Sequence, residues 1–337
     1  MKLIFTSLFL IAASVIFYSC KSDSVVTPTD PTGAGGYQWT QVSSLVAENF
    51  DKLAACDENT VIAGSYQIGY KITNGSLSYF NFQDTTFNTD NLAAYDANYF
   101  AFCSTNFTSF FGNIKMKIFT NGVMSTVVLD THSTSKITDM LITAPGKIAA
   151  VTGSKLYIYD NGSISSYASP DSFSTGFNLI TKIGSALYIA GNTRKIYKFE
   201  NNVLSIVSTE TGTNEFSRMK VFDAIIKAPY SPQPTVVSYW NGPGWNTLCT
   251  DTTRDIYLFA AGESINSIYF LVADSALSYS KGKIWTGSHL ADDPNYPPDN
   301  PATNVYTTAL SNMKNNTVFI SKRENFTSKI YRGVKNY

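Results

Sequence analysis

The strongest constraint on the fold of this chain is a short hairpin motif that recurs at a nearly constant spacing. In its clearest copy, residues 155–167, alternating apolar and aromatic residues flank Asn161-Gly162, a pair that predicts two strands joined by a two-residue turn. Equivalent pairs follow along the chain: Asn74-Gly75, Asn121-Gly122, Asn161-Gly162, Asn201-Asn202, Asn241-Gly242 and Lys281-Gly282. The steps between them are 47, 40, 40, 40 and 40 residues, and this regularity indicates internal repeats.

A repeat of about 40 residues has room for four short strands, which is the size of a β-propeller blade. A further copy of the motif, Lys329–Arg332, lies near the C-terminus. We therefore predict an all-β fold, a seven-bladed β-propeller, with six blades as the alternative because the last repeat is the least regular. The predicted innermost strands begin near Lys52, Asn91 and Ile137.

The two ends of the repeat region predict how the ring closes. The last repeat stops at Tyr337, before its outermost strand, and residues 35–42 resemble the outer strands of other repeats. Trp39 stands four places after the first residue of a turn-like pair, as do Trp245 and Trp285, so we assign all three to one interblade packing position. Residues 35–42 are therefore predicted to complete the last blade and to remove two exposed sheet edges.

Residues 1–19 have the features of a secretory signal peptide, since a basic residue precedes an uncharged apolar run that is short for a membrane-spanning helix. The run ends at Ser19-Cys20, which resembles the lipobox of bacterial lipoproteins. The resemblance implies cleavage before Cys20, lipidation of Cys20 and attachment in the bacterial envelope, where we expect the outer membrane. An ordinary signal peptide with an incidental Cys20 is the alternative. Residues 20–34 are predicted to be a flexible tether, and residues 35–337 the propeller domain.

Charge and cysteine content narrow the classes of function. Lys plus Arg and Asp plus Glu both number 25, so there is no basic excess to support nucleic-acid binding. No Cys or His spacing predicts a metal site, no phosphate-binding loop is present, and no cofactor is expected. With Cys20 assigned to lipid, Cys56, Cys103 and Cys249 are predicted to be buried thiols, with a Cys56–Cys103 disulfide as the alternative.

Departures from the 40-residue period fall on one face of the predicted ring. In a propeller, the connections between second and third strands, and those between successive blades, share one face, which we call the loop face. The Asn-Gly turns mark the opposite, turn face. Extra residues occur in Ser104–Asn113 of blade 2 and in Ala291–Asn300 before blade 7, and a Pro-rich loop, Ala228–Pro234, occurs in blade 5. All three segments belong to the loop face. Variable loops on a rigid scaffold often carry function, so we predict ligand binding there.

Two groups of side chains are candidates for ligand binding on this face. The first could form an aromatic platform for a sugar ring or a protein: Phe107, Phe110, Phe111, Tyr230 and Tyr296. The second lies near the starts of inner strands and could ring the mouth of the central channel: Asp51, Asp90, Asp139, Asn178 and Arg218. Packing between loops and an ordinary polar channel lining are the respective alternatives. Asp292, Asp293 and Asp299 match no calcium loop and are interpreted as a solvated acidic loop.

The period and the strand-exchange closure resemble the β-propeller superfamily, which includes WD40 and kelch proteins, although no named subclass is matched. The resemblance implies architecture rather than chemistry. Because no nucleophile motif, metal site or cofactor loop is present, we expect a non-catalytic, monomeric scaffold that binds a glycan or protein at the cell envelope and meets the membrane through its lipid only. The alternative is a carbohydrate-active hydrolase or lyase that uses carboxylates at the channel mouth.

Overall fold

In the computed structural model, the described residues are 36–46, 48–108, 110–171, 176–191, 194–210, 216–230, 234–253, 255–274, 279–299 and 305–335. Over these ranges the chain forms 28 β-strands, which pair into seven four-stranded sheets. None of these ranges contains a helix that is long and apolar enough to cross a membrane. The prediction of an all-β, seven-bladed propeller is confirmed, and the six-bladed alternative is wrong. The predicted signal peptide, the tether and Cys20 lie outside the described residues.

The first three blades are built from consecutive strands that follow one another outward from the channel. Blade 1 comprises β2 (Lys52–Ala55), β3 (Thr60–Gly64), β4 (Ile68–Thr73) and β5 (Ser76–Asn81). Blade 2 comprises β6 (Asn91–Ala94), β7 (Tyr99–Thr108), β8 (Phe111–Thr120) and β9 (Val123–Ser133). Blade 3 comprises β10 (Asp139–Ala144), β11 (Lys147–Val151), β12 (Lys155–Asp160) and β13 (Ser163–Ala168).

Blades 4 to 6 repeat this order, whereas blade 7 takes its outer strand from the start of the domain. Blade 4 comprises β14 (Phe177–Ile183), β15 (Ala186–Gly191), β16 (Lys195–Glu200) and β17 (Val203–Thr209). Blade 5 comprises β18 (Phe216–Val221), β19 (Ala224–Pro229), β20 (Thr235–Trp240) and β21 (Trp245–Asp251). Blade 6 comprises β22 (Ile256–Ser264), β23 (Ser267–Ala273), β24 (Ser280–Trp285) and β25 (Leu290–Asp292). Blade 7 comprises β26 (Val305–Leu310), β27 (Thr317–Glu324), β28 (Thr327–Lys335) and β1 (Tyr37–Val46).

The apolar core is divided among the joints between blades. The innermost strand of each blade contacts that of the next around a closed ring. Seven clusters of buried apolar side chains each draw on two adjacent blades. This division lets a chain of this length fold without one oversized core. Cys56, Cys103 and Cys249 are free and buried within these clusters, so the prediction of buried thiols is confirmed and the disulfide alternative is wrong.

The recurrent two-residue turns have the predicted conformation. Asn74, Asn121, Asn161 and Asn201 have φ values of 49°, 50°, 47° and 50°, and the residue after each also has a positive φ. Asparagine and glycine tolerate this left-handed conformation better than other residues do, which explains their recurrence. Each of these turns joins the third strand of its blade to the fourth, as predicted.

Two sequence predictions in blade 6 are wrong: the turn at Lys281-Gly282 and the outer-strand position of Trp285. Lys281-Gly282 lies inside β24 and is not a turn. Gly282 is required there for another reason, since a Cβ atom would come within 1.8 Å of the Tyr269 hydroxyl on the neighbouring strand. Trp285 consequently lies on a third strand, where its Nε1 donates to the Ile265 carbonyl at 2.9 Å. It does not share the outer-strand position of Trp39 and Trp245.

The insertion predicted as a loop in blade 2 instead lengthens two strands. β7 and β8 remain paired as far as Thr108↔Phe111, so most of the insertion forms an extended hairpin that ends on the loop face. Threonine and phenylalanine favour strands, and both are frequent in residues 104–113. The insertion therefore continues the strand pairing beyond the rest of the blade.

β1 closes the ring. It pairs antiparallel with β28 from Tyr37↔Lys335 to Val46↔Thr327, which confirms the predicted closure and extends the strand beyond residue 42. The buried Asp293 carboxylate, in the connection after blade 6, accepts hydrogen bonds from Trp39 Nε1 at 2.9 Å and from the Tyr37 amide at 3.3 Å. Burial raises the pKa of Asp293 even though these donors oppose the shift. Asp293 thus joins the closing strand to blade 6.

A repeated acidic contact joins every pair of neighbouring blades. In each outer strand, or in the connection that follows it, an acidic side chain bonds a basic or phenolic side chain of the next blade. We call each contact an interblade clamp. The clamps are Glu48 with Tyr70, Asp84 with Lys115, Asp130 with Lys155, Asp171 with Lys195, Glu210 with Arg218 and Lys227, Asp251 with Lys283, and Asp299 with Lys322.

We expect Trp39→Ala to lower the free energy of unfolding by about 3 kcal/mol, because it removes a large packed side chain and one donor to buried Asp293. Urea unfolding followed by circular dichroism measures the change. Tyr79→Ala, which truncates a 70% exposed aromatic side chain on the outer strand of blade 1, is the matched control. Equal stability of the Trp39 variant and the control would contradict the role assigned to the closing strand.

The clamps predict loss of stability in acid. The Lys115 hydrogen bond lowers the pKa of Asp84 to about 2. At Asp130 and Asp251, burial acts to raise the pKa but is outweighed by hydrogen bonds, and both values also fall to about 2. A carboxyl group with a lowered folded-state pKa stabilises the fold above its unfolded pKa, and this contribution disappears as the pH falls from about 4 to about 2.

We expect each of these three carboxylates to contribute about 1–2 kcal/mol that is lost over this pH range. Urea unfolding at several pH values measures how steeply the free energy of unfolding falls with decreasing pH. Asp251→Asn should reduce this slope. Asp160→Asn alters a carboxylate whose side chain is 50% exposed and should leave the slope unchanged. An Asp251 variant with the wild-type slope would show that this clamp does not couple folding to protonation.

Candidate functional site

Exposed aromatic side chains are concentrated on the loop face. Among the described residues, eight of them lie there: Tyr66, Phe107, Phe110, Phe111, Tyr230, Tyr279, Tyr306 and Phe326. On the turn face, the described residues include only two, Tyr95 and Phe222. Since both faces are built from short connections between strands, this difference sets the loop face apart as a surface suited to a partner.

The predicted aromatic platform is only partly assembled. Phe107, Phe110 and Phe111 lie together at the end of the blade 2 hairpin, where Phe110 is 88% exposed. The Phe111 ring packs edge-on against His132 with a centroid distance of 5.8 Å. Tyr230 is also exposed, but it belongs to blade 5, three blades away around the ring.

Tyr296 is buried and does not belong to any exposed platform. It lies at the joint between blades 6 and 7, where its hydroxyl and that of Thr307 are 2.5 Å apart. Its ring faces Lys322 Nζ, which lies 4.6 Å from the ring centroid. Its function is to pack the joint, which is the structural alternative considered for this group.

Sequence reasoning missed four members of the exposed aromatic set, Tyr66, Tyr279, Tyr306 and Phe326, and two of them are on the two blades that precede blade 2. Tyr66 is on the connection between β3 and β4 of blade 1, and Phe326 is on the tight turn between β27 and β28 of blade 7. Together with Phe110 they place an exposed aromatic ring on each of three consecutive blades. The signal in the sequence is an aromatic residue in a short connection between strands, which no insertion marks.

Asp51 and Asp90 line the same pocket on the loop face. This pocket has a volume of about 140 Å³, lies where blades 1 and 2 meet, and is mainly polar. We call it the blade 1–2 pocket. Six of its lining residues matter for its chemistry: Asn49, Asp51, Lys52, Thr89, Asp90 and Lys136. All six lie in, or at the end of, the connections that lead into blades 1, 2 and 3.

Asp90 is the most perturbed acid of the pocket. Burial raises its pKa, and a hydrogen bond from the Thr105 amide at 2.6 Å to Oδ2 opposes the shift. Lys136 and Lys52 also oppose it, so both cations lie close enough to act on the Asp90 carboxyl group. Thr105 belongs to β7, which connects the pocket wall to the hairpin that carries Phe107 and Phe110.

Two polar atoms of the pocket have unmet hydrogen-bonding capacity. Thr89 is only 7% exposed, and its Oγ1 has no hydrogen-bond partner among the described residues. Asn49 Oδ1 is buried and likewise lacks a partner within the described ranges. A buried hydroxyl or amide oxygen without a partner is costly. Because both atoms have almost no accessible surface, a molecule that enters the pocket does not reach them.

Asp139 does not join this pocket. Its carboxylate accepts from Lys220 Nζ at 2.6 Å to each oxygen, and from the Ile180 amide at 2.8 Å. Because Asp139 is on blade 3 and Lys220 on blade 5, this contact spans blade 4 at the inner side of the ring. Its oxygens are therefore already engaged in holding three blades together.

Arg218 and Asn178 also lie apart from the pocket. The Arg218 side chain is 2% exposed, pairs with Glu210 at 3.2 Å and donates to the Gly191 carbonyl. Burial lowers the pKa of Arg218, and Glu210 opposes the shift. Asn178 is half-buried in β14. The five polar residues near the channel thus separate into the Asp51–Asp90 pair and residues embedded elsewhere in the ring.

The interpretation of residues 291–300 as a solvated acidic loop is wrong for two of its three aspartates. Asp293 is buried at the closing strand, and Asp299 accepts hydrogen bonds from the Ser280 amide at 2.8 Å and from Thr307 at 3.1 Å. Only Asp292 is exposed. No group of three or more His, Cys, Asp or Glu side chains in the described part of the chain could hold a metal ion.

The sequence matches no protein-family model and no characterised protein. Its structure resembles the WD40 domain of Neurospora crassa Pan2, with a TM-score of 0.63 and 9% identity over 91% of this chain and 98% of that one. YCF48 from Cyanidioschyzon merolae matches with a TM-score of 0.61 and 9% identity, over 88% of this chain and 98% of that one. BamB from Moraxella catarrhalis matches with a TM-score of 0.52 and 12% identity, over 87% of this chain and 99% of that one. At such low identity, these similarities establish the propeller fold alone.

Proposed function

We propose that this protein is a non-catalytic binding scaffold that recognises a glycan or protein of the cell envelope on its loop face. The observation that carries the proposal is the concentration of exposed aromatic side chains on that face. Aromatic residues are enriched at binding hot spots because they bury a large area at a small entropic cost. Solvent exposure of Phe110, Phe326 and Tyr66 has no evident benefit for folding.

The scaffold around these side chains suits recognition without chemistry. Each blade is joined to the next by an apolar cluster and a clamp, so the loops project from a rigid support. A YCF48 propeller is known with a D1 peptide bound, an example of the architecture holding a peptide. That neighbour supports a general binding role and carries no information on the ligand here.

We also propose that the chain is a lipoprotein of the bacterial outer membrane, anchored through Cys20. The arrangement of β1 is compatible with such an anchor. Tyr37, at the start of β1, pairs with Lys335, at the end of β28, so the domain begins on the turn face. The first described strand of the domain therefore starts on the face opposite the exposed aromatic side chains.

Removing the hairpin aromatic side chains should weaken ligand binding. We expect the Phe107→Ala/Phe110→Ala/Phe111→Ala variant to lose at least about tenfold in affinity for any ligand found by a glycan array or by pull-down from envelope extracts. The double variant Tyr79→Ala/Phe222→Ala removes exposed aromatic side chains from elsewhere and should bind like wild type. Full binding by the triple variant would exclude the hairpin as the site.

Cell fractionation tests the proposed anchor. We expect Cys20→Ala to move the protein from the membrane to the soluble fraction, because the substitution removes the thiol that carries the lipid. Mass spectrometry of the wild-type N-terminus should show a lipid-modified Cys20. A membrane-bound protein with unmodified Cys20 would contradict the proposal.

One observation favours the alternative of a carbohydrate-active hydrolase or lyase. Asp51 and Asp90 share a pocket, and the raised pKa of Asp90 is what a general acid requires. Turnover of nitrophenyl glycosides by wild type, lost in Asp90→Asn, would establish this alternative. Asp139, the third carboxylate that the sequence suggested for glycan cleavage, is instead paired with Lys220.

A further inference from the structure

We propose that a groove on blade 7 binds a protein partner, which places a carboxylate beside its own apolar side chains. This inference rests on the proposed function and selects protein over glycan for one place on the loop face. The groove has a volume of about 420 Å³ and is lined by Tyr306, Arg323, Asn325 and Phe326. We call it the blade 7 groove. Two aromatic rings and one positive charge therefore line the same open space.

Strand pairing brings the lining residues of the groove together. Tyr306 and Arg323 are direct partners in the antiparallel pair of β26 and β27, so their side chains lie next to each other on one face of the blade. Asn325 and Phe326 form the two-residue turn between β27 and β28, and Asn325 has a φ of 54°. The groove thus lies where β26 begins and β27 ends, on the loop face.

Arg323 carries a positive charge that no described residue neutralises. Its Nε donates to the Asn325 carbonyl at 3.1 Å, which orients the guanidinium. Within the described ranges, Arg323 forms no ion pair and its terminal N–H groups make no hydrogen bond. The adjacent Glu324 points to the other side of the strand and is paired with Lys329. An arginine fork can bind a carboxylate through two parallel hydrogen bonds, so the groove favours that group.

The aromatic rings of the groove are exposed at positions where folding does not require them. Phe326 is 74% exposed and Tyr306 is 46% exposed. A tight turn between strands favours glycine, asparagine or aspartate, because these residues adopt turn conformations readily or bond to the turn backbone. Phenylalanine at this turn therefore leaves apolar surface in water that a partner can cover.

The four-residue sequence around Phe326 also occurs in blade 2. Asn-Phe-Thr-Ser stands at residues 106–109 and again at residues 325–328. Both copies lie at the connection between the second and third strands of their blade, which belongs to the loop face. Phe107, in the blade 2 copy, is also exposed. This repetition on the two blades that flank blade 1 supports one binding surface that extends from the blade 7 groove to the blade 2 hairpin.

The lining of the groove suits a peptide better than a sugar. Its polar side-chain groups are the Arg323 guanidinium, the Asn325 amide and the Tyr306 hydroxyl. A sugar ring carries hydroxyl groups around its edge, and each one that loses water without gaining a hydrogen bond weakens binding. A peptide can instead place one carboxylate on the guanidinium and apolar side chains on the two rings. Such a peptide matches both the charge and the apolar surface of the groove.

Titration of the full chain with two capped peptides tests the inference. The first is acetyl-Gly-Phe-Glu-Phe-Gly-amide, and the second has glutamine in place of glutamate. We expect the glutamate peptide to bind with a dissociation constant of about 1 mM and the glutamine peptide about fivefold more weakly, as measured by ligand-observed NMR. Equal affinity of the two peptides, or no binding of either, would overturn the inference.

Two further measurements test the charge and the class of partner. Raising sodium chloride from about 50 mM to about 500 mM should weaken the glutamate peptide about threefold and leave the glutamine peptide unchanged, because salt screens the contact with the guanidinium. Methyl glucuronide is titrated in parallel, since it presents a carboxylate on a sugar ring. Tighter binding of methyl glucuronide than of the glutamate peptide would overturn the choice of protein over glycan.

Two variants show whether the peptide occupies the blade 7 groove. Arg323→Gln should abolish the preference for glutamate over glutamine, and Phe326→Ala should weaken both peptides about fivefold. The matched controls lie on the turn face. Lys147→Gln removes a cation whose side chain is 56% exposed, Phe222→Ala removes a ring that is 73% exposed, and both should bind like wild type. Wild-type affinity and selectivity in the two groove variants would overturn the assignment.

Failure of this inference can be distinguished from failure of the proposed function. If neither peptide binds, but a ligand captured from the envelope still depends on Phe107, Phe110 and Phe111, only the groove assignment is wrong. If a captured protein depends on Arg323 and Phe326 but not on the hairpin, the groove assignment stands and the hairpin is not the site. If no ligand depends on either place, both proposals fail.

Discussion

The ring depends on a contact that recurs at all seven joints between blades, where an acidic side chain near the end of one outer strand bonds a side chain of the following blade. Apolar packing between sheets is not directional, and it would tolerate sliding of one blade past another. A charged hydrogen bond has a defined geometry and so fixes the position of each blade on the next. The Asp251–Lys283 and Asp299–Lys322 pairs are almost fully buried, so losing one partner would leave an uncompensated charge inside the joint.

Closure of the ring requires strand pairing between the two ends of the domain, which no other blade requires. Six blades are continuous in sequence, but blade 7 is assembled from both ends of the domain through the pairing of β1 with β28. Asp293 strengthens this seam, since its carboxylate accepts from Trp39 and Tyr269 while its neighbours pack the joint. The ring is therefore completed only when distant parts of the chain meet. This arrangement also places the start of β1 on the turn face.

The loop face combines features that folding alone does not require. Exposed aromatic rings lie on the loop face of blades 7, 1 and 2, and Tyr66 of blade 1 also lines the blade 1–2 pocket. The sequence named the same face, because insertions interrupt the repeat there. It also named Asp51, Asp90 and Phe110, which the structure places on that face. It could not separate these from Tyr296, Asp139 and Arg218, because burial depends on contacts with other blades.

The sequence by itself determined the period, the number of blades, the four asparagine-led two-residue turns and the closing strand, since each depends on residues adjacent in the chain or on a repeated spacing. Only the tertiary structure decided which acidic residues form clamps, why Gly282 lies in a strand, and which side chains share the blade 1–2 pocket. These features bring together residues from different blades, and their distances are set by ring closure. Local sequence specifies each blade, whereas the contacts between blades create the joints and the candidate binding surface.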